Sequence, residues 1–180
     1  MIEGERNIIL TGAPGTGKTS VLNLLRESYP CIDEPAREII SEQRSINGNG
    51  VSEKNEQLFV ELIMSRSIQK YKTVSKLTTS YRFFDRGIPD VTAYASWYKL
   101  KLDTFIKAST LYRYNADVFL FSPIKEIYTT DDERKMTFEE VQTFHDLIVS
   151  AYTEANYSLV EVPFGSPLER LEFIKSKVEV

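Results

Sequence analysis

Gly12-Ala13-Pro14-Gly15-Thr16-Gly17-Lys18-Thr19 places three glycines, a lysine and a hydroxyl at the spacing GxxxxGK[ST]. The chemistry of that spacing is anion capture. Glycines let a loop take conformations closed to residues with a side chain. Its N–H groups then turn inward around an anion at a helix N-terminus. Lys18 supplies a mobile charge for outer phosphates, and Thr19 a hydroxyl for the magnesium ion that travels with them. Ser20 extends the binding stretch into the helix. The motif requires a strand before it and a helix after it. Ile8-Ile9-Leu10 reads as a short buried strand, and residues 19–26 carry a helical pattern. The expected ligand class is a nucleoside triphosphate with its Mg2+ ion.

Other chemistry-bearing residues fall after apolar runs. Asp85 ends the run Tyr81-Arg82-Phe83-Phe84, the context of an acid that orders a magnesium water or accepts a proton from an attacking hydroxyl. Its alternative is a helix cap or salt bridge. Arg86 can neutralise transferring phosphoryl charge, or can be a surface ion pair. Glu34 and Arg37 lie three apart at a helix start and share one side of its first turn. They can hold or deprotonate an acceptor, or simply pair with each other. Glu34 and Asp85 both qualify as general base. Arg134, and less so Lys135, can close over the triphosphate from a charged segment at 122–136; the alternative is solvated surface. His145 is expected to be a hydrogen-bonded packing residue. Tyr94, Trp97 and Tyr98 read as core rather than as an acceptor pocket.

These residues need elements to position them. Strands are expected at 8–10, 31–33, 81–85, 117–121 and 159–162. Helices are expected at 19–26, from 34 onward, from 52 to about 76, from 89, at 103–112, from 137 and from 166. Pro35 suits a first helical position. Ser52 is a plausible N-cap, with Leu58, Leu62 and Ile63 on the core side. Thr137 with Glu140, and Ser166 with Glu169, have capping-box spacing. Residues 47–50, Asn-Gly-Asn-Gly, read as a mobile loop. Phe138, Val141, Ile148, Tyr152 and Ala155 form an apolar stripe. Strands alternating with helices imply an α/β fold, a parallel sheet covered on both faces. Ligands in such sheets bind beyond the carboxyl ends of the strands.

Composition narrows the class. The 180 residues, 42% apolar and 27% charged, suit one globular domain covering 1–180. A net charge of −4 argues against coating a nucleic-acid polymer. One cysteine and one histidine exclude an intrachain disulfide and a structural zinc site of the usual kind, and fit a reducing cytoplasm. No run has the length of a signal peptide or a membrane span.

With these residues in view, the chain resembles the P-loop kinase group of nucleoside and nucleotide kinases. It is most similar to a family of small ATP-binding proteins of AAA type, related to the nicotinamide-riboside kinase domain. GAPGTGKTS, DEPAREII, FFDRGIPDVTAYA, IYTTDDERKMTFEE and VEVPFGSPLERLEFI carry the resemblance almost end to end. It implies a five-stranded parallel sheet in a three-layer sandwich with a lid, as in nucleoside monophosphate kinases. It implies that 12–19 bind ATP phosphates, that Asp85-Arg86 are a kinase-type pair and that Arg134 belongs to the lid. Pro163 and Ser166 would lie near the adenine. Glu34-Pro35 is similar to the pair that carries the base in deoxynucleoside kinases, although the aromatic residue expected a little further on is missing.

The leading reaction is transfer of the γ-phosphate of Mg-ATP to a small acceptor: a nucleoside, a nucleotide or a related riboside. Lys18, Asp85, Arg86, Glu34 and Arg134 would be its catalytic residues, with Thr19 and Asp85 at the metal and Glu34, Arg37 and Arg86 at the acceptor. The alternative is a regulatory ATPase or nucleotide-driven switch acting on a protein partner. A GTPase ranks lower, since no NKxD-type guanine motif is present.

Overall fold

A computed structural model describes residues 6–74, 81–125, 128 and 136–178. Among these, five strands form one sheet in the order β2-β3-β1-β4-β5, all parallel. They are β1 (Asn7–Thr11), β2 (Cys31–Ile32), β3 (Arg82–Asp85), β4 (Asp117–Leu120) and β5 (Ser158–Glu161). The helices are α1 (Lys18–Leu25), α2 (Pro35–Ser45), α3 (Glu56–Val74), α4 (Ile88–Trp97), α5 (Asp103–Leu111), α6 (Phe138–Glu154) and α7 (Pro167–Val178). The α/β parallel-sheet architecture expected from the alternation is therefore present.

β1 is central and wholly buried, which is why it reads as an unbroken apolar run. Its residues alternate between two cores. Ile9, with Phe84 and Val118, faces the core shared with α2 to α6. Ile8 and Leu10, with Phe83 and Phe119, face the core shared with α1 and α7. The period of two along each strand thus sorts side chains onto opposite faces. Both covered faces force the strand ends to be the accessible edge of the sheet.

Two capping boxes close as their spacing predicts. Glu140 N–H donates to Thr137 Oγ1 at 3.2 Å and Thr137 N–H to Glu140 Oε2 at 2.7 Å. Ser166 N–H donates to Glu169 Oε2 at 2.8 Å and Glu169 N–H to Ser166 Oγ at 3.3 Å. The start of α3 differs from expectation. Its cap is Asn55, whose Oδ1 accepts Leu58 N–H at 2.9 Å, while Ser52 Oγ turns to Glu53. The helix therefore begins a turn later, and Phe59, Val60, Ile63 and Met64 form its buried side. Residues 47–50 are tied down: Gly48 N–H reaches Gln43 O at 2.7 Å and Gly50 N–H reaches Gln43 Oε1 at 2.9 Å. No helix among the described residues is long and apolar enough to cross a membrane.

The entrance to the phosphate loop is a close approach between β1 and β4. Gly12 has φ +137°, and a Cβ there would sit 2.1 Å from the Phe121 carbonyl oxygen. At Gly17, φ +86°, the nearest atom to such a Cβ is Arg170 Nη1 at 3.0 Å. Backbone cannot yield where a side chain can. Gly12→Ala is expected to lower stability by at least about 2 kcal/mol, and more than Gly17→Ala does, read from urea unfolding midpoints of the two variants.

Candidate active site

The loop 12–17 leaves β1 and delivers Lys18 to the first turn of α1. Gly12, Gly15 and Gly17 all have positive φ, as their spacing predicts. Ala13 is fully buried beneath the loop, Thr16 Oγ1 donates to Ala13 O at 3.0 Å, and Thr19 and Ser20 face solvent at the helix start. Lys18 is buried, and its Nζ donates to Gly12 O at 2.9 Å and Ala13 O at 3.2 Å. Burial and then the nearby Arg86 lower its pKa to about 8, against the opposing pull of Asp85, Glu34 and Asp90.

β3 pairs with β1 so that Asp85 lies beside Leu10. This register carries Asp85 to the edge where the loop begins. One of its oxygens, Oδ1, is buried without a hydrogen-bond partner. Burial raises its pKa, offset in part by Lys18. An orphaned carboxylate oxygen at the strand edge where the phosphate loop begins has the chemistry that suits a hard divalent cation.

Arg86 follows with φ +67°, a conformation that costs an arginine on the order of 1–3 kcal/mol. Its N–H donates to Leu10 O at 3.0 Å. The turn sends the side chain back into the protein, where Nη1 donates to Asp90 Oδ1 at 3.0 Å. Nε lies 3.0 Å from Glu34 Oε1 as an ion pair without hydrogen-bond alignment. Burial works against the charge, but Glu34, Asp90 and Asp85 hold Arg86 well above the ordinary guanidinium range.

Glu34 is the N-cap of α2, yet its carboxylate makes no cap bond. It is turned instead to Arg86 and to Tyr94, whose hydroxyl donates to Oε1 at 2.9 Å. Burial alone would raise its pKa; Arg86, Tyr94 and Lys18 outweigh that and leave it below the usual range. Arg37 is exposed on the first turn of α2, and Glu34 pairs with Arg86 across the crevice instead of with its own helix neighbour. Tyr94 packs at a tilt against Phe144 with centroids 4.9 Å apart, and Trp97 meets the same ring edge-on at 5.8 Å. Phe144 is also 5.9 Å from the Arg86 guanidinium.

Asp90 and Arg170 were not expected at the site. Asp90, 1% exposed, accepts hydrogen bonds from Thr11 Oγ1 at 2.5 Å, Gly87 N–H at 2.8 Å, Arg86 and the Tyr152 hydroxyl. The only signal for it in the sequence is an acid at the third position of a helix after Arg86-Gly87, which reads as a cap. Arg170 of α7 donates from Nη1 to Thr16 O at 2.7 Å and from Nε to Pro163 O at 3.1 Å. Pro163 is thereby held against the phosphate loop, while Ser166 caps α7 in solvent. His145 is buried as expected, but its Nδ1 has no hydrogen-bond partner, and burial lowers its pKa. Arg134 and Lys135, with most of the 122–136 lid segment, lie outside the described residues. A separate groove of roughly 540 Å3 between β2, α2 and α3 includes Arg66 and Lys70, but both are paired with Glu38.

A parallel sheet with a glycine-rich phosphate loop after its central strand, and an acid at the tip of the neighbouring strand, defines a P-loop nucleotide-binding protein with the fold of nucleoside and nucleotide kinases. The chain belongs to the AAA domain family, whose family model matches residues 7–170. Among curated proteins no sequence matches. Solved structures agree on the fold. NadR protein, solved in complex with NR, superposes with a TM-score of 0.72 at 20% identity over 97% of this chain, which spans about half (51%) of NadR's length. Deoxyadenosine kinase from M. mycoides gives 0.69 at 14% identity, covering 96% of this chain and 98% of that one. Thymidylate kinase from Ehrlichia chaffeensis gives 0.65 at 15% identity, covering 97% and 99%.

Removing the Asp90 charge leaves Arg86 buried with one acid fewer. Asp90→Asn is expected to lower stability by about 3 kcal/mol, the cost of breaking a buried pair, measured by denaturant unfolding.

Proposed function

We propose that the protein is an ATP-dependent phosphotransferase that moves the γ-phosphate of Mg-ATP to a hydroxyl of a small acceptor, a nucleoside or related riboside. The observation that carries this reading is the buried Glu34–Arg86–Tyr94 cluster beside the phosphate-loop lysine. Hydrolysis alone needs no second charged pair across the crevice. A hydroxyl acceptor is favoured over a phosphate because Arg86 already faces two carboxylates, Glu34 and Asp90.

In this reading the loop amides and Lys18 hold the β- and γ-phosphates. Thr19 and Asp85 would hold magnesium, which supplies charge neutralisation between the phosphates when bound. Glu34 is kept ionised by its partners and orients the acceptor hydroxyl, taking its proton as the phosphoryl group transfers. Arg86 fixes Glu34 and adds positive charge near the transferring group. Arg37, at the open end of α2, contributes to acceptor binding, and Arg134 to closure over the donor. Pro163 and Ser166 border the base. Catalysis is chiefly positioning and charge neutralisation.

The test is ADP release with a panel of nucleosides, nucleotides and pyridine ribosides. Acceptor-dependent release is expected, and Glu34→Gln should lower kcat about 100-fold or more while leaving the KM for ATP within about threefold. Acceptor-independent hydrolysis stimulated only by a protein partner would establish the switch instead. Lys18→Ala abolishes turnover on either reading.

The pH profile follows from the two perturbed groups. Lys18 binds phosphate as the cation, so kcat/KM for ATP falls as pH rises through about 8. Asp85 acts as the anion, so an acid limb lies above the ordinary aspartate range. Activity that stays level well above pH 8 would contradict the Lys18 assignment.

A further inference from the structure

His145 is the chain's single histidine, and it is 7% exposed on α6. It shares the buried face of that helix with Val141, Ile148 and Tyr152. Its Nδ1 has no hydrogen-bond partner among the described residues. An apolar ring would serve packing better, because an unpaired buried nitrogen is a net cost.

The fold puts this ring at the strand tips beside the phosphate loop. α6 leads through residues 155–157 into β5, so it runs against the strands and its earlier turns lie at their tips. Tyr152 marks the level where β1 ends, since its hydroxyl donates to Asp90, which also holds Thr11. His145 precedes Tyr152 by two turns, about 10 Å along the helix axis, beyond the strand end that the phosphate loop leaves. Its neighbour Phe144 meets Arg86 across the crevice at 5.9 Å.

The charges around the imidazole agree with this placement. Asp146 of its own helix and Glu161 at the tip of β5 favour a protonated ring, and Lys18 of the phosphate loop opposes it. Neither acid holds the ring: Asp146 faces solvent, and Glu161 accepts the Ser122 hydroxyl at 2.6 Å. From α4, Asp90 and Tyr94 are turned to Arg86 and Glu34. Burial dominates and lowers the pKa, which favours the neutral ring. A triphosphate at the loop would reverse the local field. Its negative charge exceeds the single positive charge of Lys18, so a ring that now repels a proton would attract one.

We propose that His145 is a further residue of the phosphate-binding site, one that takes up a proton as the triphosphate arrives and so adds a cation to its surroundings. This rests on the reading of residues 12–19 as the site of a nucleoside triphosphate. It goes beyond that reading by making capture proton-linked through a side chain the motif does not contain. The ring holds its proton more tightly in the complex. Binding therefore tightens as pH falls through the midpoint of the complex, and levels off below that of the free protein.

The single histidine makes the test direct. The Cε1–H resonance of His145 is followed by NMR from about pH 5 to about pH 8. The sample is the full chain without a histidine tag, alone and saturated with Mg2+ and the β,γ-imido analogue of ATP. In the free protein the midpoint is expected below the ordinary 6.5. With the analogue it should rise by about one unit, the effect of one net charge about 10 Å away at an effective dielectric constant of about 20. Isothermal titration then compares the affinity of wild type and His145→Gln for the same analogue. The ratio of the two affinities should favour wild type about tenfold more at pH 5 than at pH 8, which is the same shift read as binding. Taking the ratio removes the titrations of Lys18, Asp85 and the nucleotide itself.

A midpoint that the bound analogue leaves in place or lowers overturns the proposal, as does an affinity ratio that is flat with pH. If His145→Gln does not fold, the wild-type resonance decides alone. Analogue binding with an unmoved midpoint sinks this inference and leaves the nucleotide reading intact, whereas no binding at any pH sinks the reading beneath it.

Discussion

The carboxylate of Asp90 is the junction of the site. It is buried, so its charge has to be met by donors, and three segments supply them: the end of β1 through Thr11, the β3–α4 turn through Gly87 and Arg86, and α6 through Tyr152. Thr11 is the residue immediately before the phosphate loop. The same acid therefore anchors the root of the loop and aims the arginine that faces Glu34. The left-handed turn at Arg86 makes sense in this light. It is unfavourable locally, and the main-chain bond to Leu10 together with two side-chain ion pairs over-determines it.

Charge balance explains why Glu34 and Asp85 behave differently although both are acids in one crevice. Glu34 is surrounded by donors, so its ionised form is favoured. Asp85 keeps an oxygen without a partner, so desolvation dominates and its proton is held more tightly. Environments that push two carboxylates apart in this way assign them different work. In the proposed reaction the donor-rich one would orient a neutral hydroxyl and the donor-poor one would meet the cation.

What the sequence made legible was whatever depends on neighbours along the chain. The glycines at 12, 15 and 17, the buried runs of β1 and β4, Pro35 at a helix start and the two capping boxes are local features with local causes. The cluster of Glu34, Asp85 and Arg86 around Lys18 followed from the rule that strand ends share an edge. The misses were non-local. Asp90 looks like a helix cap until Thr11 and Tyr152, 79 and 62 residues away, are brought to it. Arg170 reaches Thr16 across 154 residues, and it resembles any polar residue on a terminal amphipathic helix. The spacing of Glu34 and Arg37 left open both an acceptor role and a pair between them, and gave no sign that Glu34 turns across the crevice to the buried Arg86. At α3 a turn closed on the Val51 carbonyl holds Ser52, so the helix starts at Glu56 and the cap falls to Asn55, the residue immediately before it.

The contact between Gly12 and the Phe121 carbonyl also has a bearing on synthesis. β1 precedes both of its sheet neighbours, β3 and β4, in the chain, and the wall against which the phosphate loop bends is made by residue 121. A nascent chain that stops short of residue 121 has the motif in full but lacks the surface that shapes it. Shaping of the phosphate loop therefore waits on the synthesis of β4. Until then, Ile8, Ile9 and Leu10 form an unpaired apolar strand of the kind that folding chaperones shield.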